Sequence, residues 1–206
     1  DTYKIEVTAT DDDRLSGSAS TTVQVNNTPP VLEFDPVAAI DENGTATVSG
    51  TGIDPGSLDT FTLNIDWGDP LSPGNSETID LTAPPVHVMW DAFTRRFTVT
   101  HQYLDDNPST TAADLYTIQV AVTDDDSGSG SDSVAVTVNN VTPAVNAGAD
   151  ATINEGGAFT TAGAFTDSGA DTWTATVDYG DGSGVQALAL TGKTFSLSHV
   201  YIDNGA

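Results

Sequence analysis

Asp114-Leu-Tyr-Thr-Ile-Gln-Val-Ala-Val-Thr-Asp-Asp-Asp126, a Ser/Gly turn through Gly130, and Ser133-Val-Ala-Val-Thr-Val-Asn-Asn140 together decide the architecture of this chain. Tyr116, Ile118, Val120 and Val122 alternate with Thr117, Gln119, Ala121 and Thr123. Val134, Val136 and Val138 alternate with smaller or polar residues. Alternation of this length marks a strand with one buried face, and the Ser/Gly run marks a turn. The pattern predicts a β-hairpin that closes a two-layer sandwich.

The same hairpin occurs at the start of the chain. Asp1-Thr-Tyr-Lys-Ile-Glu-Val-Thr-Ala-Thr-Asp-Asp-Asp13 aligns with residues 114–126 at an offset of 113. Asn26 and Asn27 align with Asn139 and Asn140, Pro30 with Pro143, Glu42 with Glu155 and Asp54 with Asp167 at that same offset. A constant offset over this distance is an internal repeat. Next in both copies comes an alternating strand ending in a Gly-Asp turn: Phe61, Leu63, Ile65 and Trp67 before Gly68-Asp69, and Trp173, Ala175, Val177 and Tyr179 before Gly180-Asp181. The copies then differ in length. The first carries about fifteen extra residues in 70–91, read as a longer edge hairpin with Val86, Val88 and Trp90 on one face. Both return to a His-x-Tyr: His101-Gln-Tyr103 and His199-Val-Tyr201. Short strands, regular turns and no helical period predict an all-β fold of tandem immunoglobulin-like β-sandwiches. In the complete unit, strands A, B, C, F and G begin near 31, 45, 60, 115 and 131, with D and E within 76–103.

The formal charge is −25, from 30 acidic and 5 basic residues. Phosphate binding needs Lys and Arg, so nucleic acid is excluded as a partner, and an anionic membrane surface is disfavoured. The absence of cysteine removes disulfides and thiolate metal sites. No apolar run is long enough to insert in a membrane, and no leader precedes the first strand, as expected of a mature chain or a piece of a longer one.

Trp67-Gly-Asp69, Tyr179-Gly-Asp181, the two His-x-Tyr motifs and the Tyr-x-Ile-x-Val…Thr-Asp-Asp-Asp strands resemble PKD-type repeats. Ile65 and Val177 replace that family's preceding Trp, and Asn-Asn-x-x-Pro followed by x-Glu-x-Gly resembles the linker and first loop of bacterial tandem arrays. The resemblance covers essentially the whole chain. It implies immunoglobulin-like modules strung in tandem in bacterial or archaeal surface proteins, hence an extracellular location. Such modules serve as spacers, adhesive units or accessory domains of enzymes, so the resemblance speaks to fold more than to function.

Three segments follow. Residues 1–27 supply strands F and G of one unit, 28–143 form a complete unit, and 144–206 supply strands A to E of another. A split unit would leave the apolar residues Tyr3, Ile5, Val7, Ala9, Val23 and Val25 at one end, and Trp173, Val177 and Tyr179 at the other, without a partner. The expectation is one period of a head-to-tail array, 113 residues long plus the remaining 93 of 206. The partner is then the chain itself, joined either covalently or by residues 1–27 acting as donor strands. An arbitrary boundary is the alternative.

Alternating strands sort the loops to two poles. One pole of the complete unit gathers Glu42, Asp69, Asp105, Asp106, Asn139 and Asn140, facing Asp167, Asp171 and Asp11, Asp12 and Asp13 of the split unit. The reciprocal junction pairs Glu155, Asp181, Asp203, Asn26 and Asn27 with Asp54, Asp59, Asp124, Asp125 and Asp126. Crowded carboxylates and amide carbonyls are hard ligands suited to Ca²⁺, although no loop has EF-hand spacing; the other reading is solvated, turn-forming Asp and Asn. A glycosidase pair needs two carboxyls across a cleft, which turn residues with like-charged neighbours do not supply. The repeated His101 and His199 read as structural, no Ser/His/Asp set is present in a recognisable context, and a non-catalytic protein is expected. Trp90 is the one candidate sugar platform. Asn26, Asn43 and Asn140 fit the N-glycosylation pattern. The reading is a structural subunit or repeat of an extracellular filament or stalk; the alternative is an adhesin or binding module of a secreted enzyme, with surface glycans as partners.

Overall fold

The computed structural model describes residues 1–107 and 110–204. Strands β1 (Thr2–Thr10) and β2 (Ser16–Gln24) form a hairpin, every residue of which is exposed. Residues 31–139 provide β3 (Val31–Phe34), β4 (Ile40–Asp41), β5 (Thr45–Ile53), β6 (Phe61–Asp66), β7 (Ser76–Asp80), β8 (Val88–Asp91), β9 (Arg96–Gln102), β10 (Ala113–Asp124) and β11 (Ser129–Asn139). They make two sheets, β4-β11-β10-β6-β7 and β3-β5-β9-β8. This is the all-β, immunoglobulin-like sandwich that the alternation predicts. All of its pairings are antiparallel except β4 with β11.

The period-two residues meet between the layers. Val48, Phe97 and Val99 come from one sheet, and Leu63, Ile65, Ile118, Val120, Val136 and Val138 from the other. Each full burial contributes about 1.5–3 kcal/mol. The 70–91 stretch does not form a single edge hairpin. β7 extends the β6 sheet, β8 extends the β9 sheet, and the exposed Val86 lies outside both strands. Ile79 and Val88 explain the division, because each is buried against the core from its own layer.

The second unit contains β12 (Ala144–Asn146), β13 (Ala158–Thr166), β14 (Ala175–Val177), β15 (Gln186–Leu188), β16 (Leu190–Thr191) and β17 (Thr194–Val200). One layer is β12-β13-β17-β16, and the other is the pair β14-β15. In the first unit, β10 and β11 complete the corresponding second layer. Here, among the described residues, no strand follows β14 and β15 into that place. Phe165 and Phe195 are its buried apolar side chains.

The hairpin β1-β2 keeps the register of β10-β11. Tyr3 pairs with Val23 as Tyr116 pairs with Val136, and Ile5 pairs with Thr21 as Ile118 pairs with Val134. Its turn is also the same. Asp11 Oδ1 accepts from Leu15 N at 2.7 Å, and Asp124 Oδ1 accepts from Gly128 N at 2.7 Å. Arg14 and Ser127, again 113 apart in sequence, have φ of 68° and 70°.

Candidate functional site

Each copy has an aromatic corner holding the end of its C strand. In the first, Tyr103 Oη donates to Trp67 O at 2.8 Å, and His101 stacks on Trp67 at 4.9 Å between ring centroids. In the second, Tyr201 Oη donates to Tyr179 O at 2.9 Å, and His199 stacks on Tyr179 at 4.2 Å. His101 Nε2 lies 3.4 Å from Asp69 Oδ2, and His199 Nε2 lies 2.7 Å from Asp181 Oδ2. Burial lowers the His101 pKa, partly offset by Asp69. Hydrogen bonds from Ser183 and His199 hold Asp181 below the usual carboxylate range. The geometry gives these two histidines an architectural role.

The joint between the units gathers four acidic residues. The β4–β5 loop contributes Glu42, the loop after β9 contributes Asp105 and Asp106, and the β13–β14 loop of the second unit contributes Asp171. One oxygen from each lies within 4.8 Å of all the others. Glu42 Oε1 accepts from Val141 N at 2.7 Å, so the linker itself orients this carboxylate. Its Oε2, together with Asp106 Oδ2 and Asp171 Oδ2, is buried without a hydrogen-bond partner among the described residues. Burial raises the Glu42 pKa to about 7, with Asp171, Asp167 and Asp106 adding to the rise and the Val141 bond opposing it. Burial is also the main cause of the raised values of Asp106 and Asp171. A cleft of ≈ 390 Å³ opens beside Asp105, Asp106, Asn140 and Asp171.

The remaining acidic candidates lie elsewhere. Asp167 Oδ2 accepts from Trp173 Nε1 at 2.7 Å, so its carboxylate is turned into the second unit. Asp69 holds His101 and Ser72 at the turn after β6. Asn139 is tied to Asp41. Asp54, Asp59 and Asp124 form a second cluster at the other pole, where Asn27 Nδ2 donates to Asp124 at 2.8 Å and Arg95 covers Asp54 at 3.8 Å. Asp125 caps Thr60 N. Asp126 and Asp11, Asp12 and Asp13 are exposed in hairpin turns. Glu155, Asp181 and Asp203 share a cleft at the far end of the second unit. Asn26, Asn43 and Asn140 are exposed. Trp90 packs edge-on against Phe61 at 6.0 Å and flanks the core.

Sequence reasoning did not single out Gly169. A Cβ there would overlap both Glu42 Oε2 and Asp171 Oδ2. Glycine therefore lets the β13–β14 loop reach Glu42, and Ala170 N bonds Leu104 O across the joint at 3.2 Å. The only available signal was a glycine between two aspartates in a B–C loop.

The second feature is an apolar groove of ≈ 320 Å³ on the inner face of the second unit, lined by Val145, Phe165, Trp173, Val177, Phe195 and Leu197 among others. Of these, Trp173 and Val177 are residues that alternation places on the buried side.

Two sandwich units, one closed and one lacking its F–G layer among the described residues, joined by an acidic hinge, define a tandem immunoglobulin-like protein. A family model described as PKD domain matches residues 140–206, the linker and the second unit. PKD domains are typically extracellular modules. Among the described residues no helix is long and apolar enough to cross a membrane. No curated protein matches the chain.

Proposed function

We propose that this chain is a non-catalytic structural repeat of an extracellular filament or stalk, in which an F–G hairpin of the β1-β2 type from the next copy fills the groove of the second unit. The observation that carries this reading is a matched pair of surfaces. Tyr3, Ile5, Val7, Val23 and Val25 are 44–65 % exposed, whereas their repeat equivalents Tyr116, Ile118, Val120, Val136 and Val138 are 0–5 % exposed in the first sandwich. The groove that such a face would cover runs from Val145 to Leu197. Strand addition supplies main-chain hydrogen bonds to the open β14 edge, and the apolar pockets select the side chains. A head-to-tail contact of this kind repeats without closing, which builds filaments.

A peptide of residues 1–27 tests the reading. Added to the full chain, it should bind one to one, raise the unfolding temperature of the second unit and lower the mass of assemblies seen by light scattering. A monomeric chain that ignores the peptide overturns the proposal. A monomeric chain that binds the peptide would restrict assembly to covalently continuous copies.

A further inference from the structure

We propose that Glu42, Asp105, Asp106 and Asp171 hold one Ca²⁺ that locks the two sandwich units of a single chain together. The inference stands apart from assembly, because all four carboxylates belong to one chain.

Burial is the first argument. Glu42, Asp106 and Asp105 are 2 %, 6 % and 8 % exposed. Taking several ionised carboxylates out of water costs several kcal/mol each unless a counter-charge compensates. Among the described residues no side-chain cation forms an ion pair with any of the four, and Lys193 acts on Asp171 only weakly, as the smallest of the influences on it. The described ion pairs of Lys4, Arg95 and Arg96 go to Glu6, Asp54 and Asp35. Lys193 donates to Asp167 O at 3.0 Å and lies 4.5 Å over the Trp173 ring. Arg14 is exposed in the β1-β2 turn.

The second argument is the unpartnered oxygens. Oε2 of the almost fully buried Glu42 lies against Gly169 beside Asp171 Oδ2, and no donor satisfies it among the described residues. Nor does one satisfy Asp106 Oδ2 or Asp171 Oδ2. Buried polar atoms without a partner are rare in native proteins and call for a missing one. A missing water would supply donors but no charge; a cation supplies both.

The donor set and its size identify the ion. Every donor is a hard oxygen, which selects Ca²⁺ or Mg²⁺ over softer metals. Oxygens on opposite sides of Ca²⁺ are about 4.6–5.2 Å apart, against about 4.0–4.2 Å for Mg²⁺. Oxygens all within 4.8 Å of one another fall inside the reach of either ion. Four carboxylates in one cluster favour Ca²⁺, which takes about six to eight oxygen ligands, over Mg²⁺, which keeps several of its waters. The cleft beside Asp105, Asp106 and Asp171 provides an entry path and room for the waters that complete a Ca²⁺ shell.

The test uses the full chain, stripped with chelator and titrated with CaCl₂ by calorimetry at physiological ionic strength. One saturable Ca²⁺ per chain is expected. Glu42→Gln and Asp171→Asn should each weaken it by ~10–100-fold or more, as losses around metal sites do. Gly169→Ala changes no charge, yet it should weaken binding because the added methyl displaces Glu42 from Asp171. Asp132→Asn, on the exposed face of β11, should leave binding unchanged. Unfolding curves in chelator check that each variant is folded. A wild-type chain with no saturable binding overturns the proposal. So does binding that survives Glu42→Gln and Gly169→Ala in folded protein, since it would report the −25 net charge as a diffuse counterion atmosphere.

Discussion

Tyr116 and Tyr3 hold the same place in two copies of one strand, but the first is 5 % exposed and the second 54 %. The same contrast holds between Trp67, fully buried, and Tyr179, half-buried, on which equivalent histidines stack. Local sequence thus builds the strand, its turn and the aromatic corner in both copies. The F–G layer decides whether a core exists. The second unit shows which features of a sandwich survive without that layer: the four-stranded layer, the β14-β15 pair and the tyrosine bond to the C strand.

The largest expected effect breaks the comparison at its centre. Ile118→Asp buries a charge in the first core and should unfold that unit, at a cost above about 4 kcal/mol. The equivalent Ile5→Asp lies on an exposed face and should leave denaturant unfolding of the chain unchanged while abolishing assembly. Next, Trp67→Ala should cost about 3–5 kcal/mol in the first unit. Tyr179→Ala should cost less than half as much, until the 1–27 peptide is present and the two losses converge. The peptide itself should stabilise the second unit by ~2.7 kcal/mol at a hundredfold excess over its dissociation constant, read as a rise in Tm.

The smallest effect concerns the joint and its dependence on pH. In chelator, Glu42 titrates at about 7 in the fold against an ordinary 4.5, and Asp106 and Asp171 are raised in the same direction. Groups raised in the fold favour it when protonated. Their contribution is complete below about 4.5 and is lost as pH rises through 7. Metal-free protein should therefore unfold at a lower temperature at pH 8 than at pH 5, by on the order of 1 kcal/mol. Glu42→Gln should flatten that slope.

Much of the fold was legible because two signals coincide. Period two identified the core residues of β6, β9, β10 and β11, and the offset of 113 carried the assignment to β1, β2 and β13. The His-x-Tyr corners were legible for the same reason. The division of the 70–91 stretch between two sheets was not, because Val88 and Trp90 alternate equally well on either sheet edge. At the joint, polarity sorting brought Glu42, Asp105, Asp106 and Asp171 to one pole, and these four meet. It did not distinguish them from Asp69 or Asp167, since the partners that claim those two, His101 and Trp173, are set by tertiary packing. Turn chemistry offered a partial guide: an Asp after Gly in a tight turn commonly caps its own backbone.

The turn shared by β1-β2 and β10-β11 also has a consequence for timing. Asp11 N bonds Leu15 O at 2.9 Å, and the register follows from that closure alone, without contact with a sandwich. A hairpin forms in about 1–10 μs, whereas sandwiches built from distant strands take milliseconds to seconds. The closing element therefore aligns its two strands long before any groove meets it. A slip of one residue would turn Tyr3, Ile5 and Val7 to the wrong face. The local turn makes that error improbable in every encounter, so the rate of docking depends on collision and orientation and not on a search through alignments.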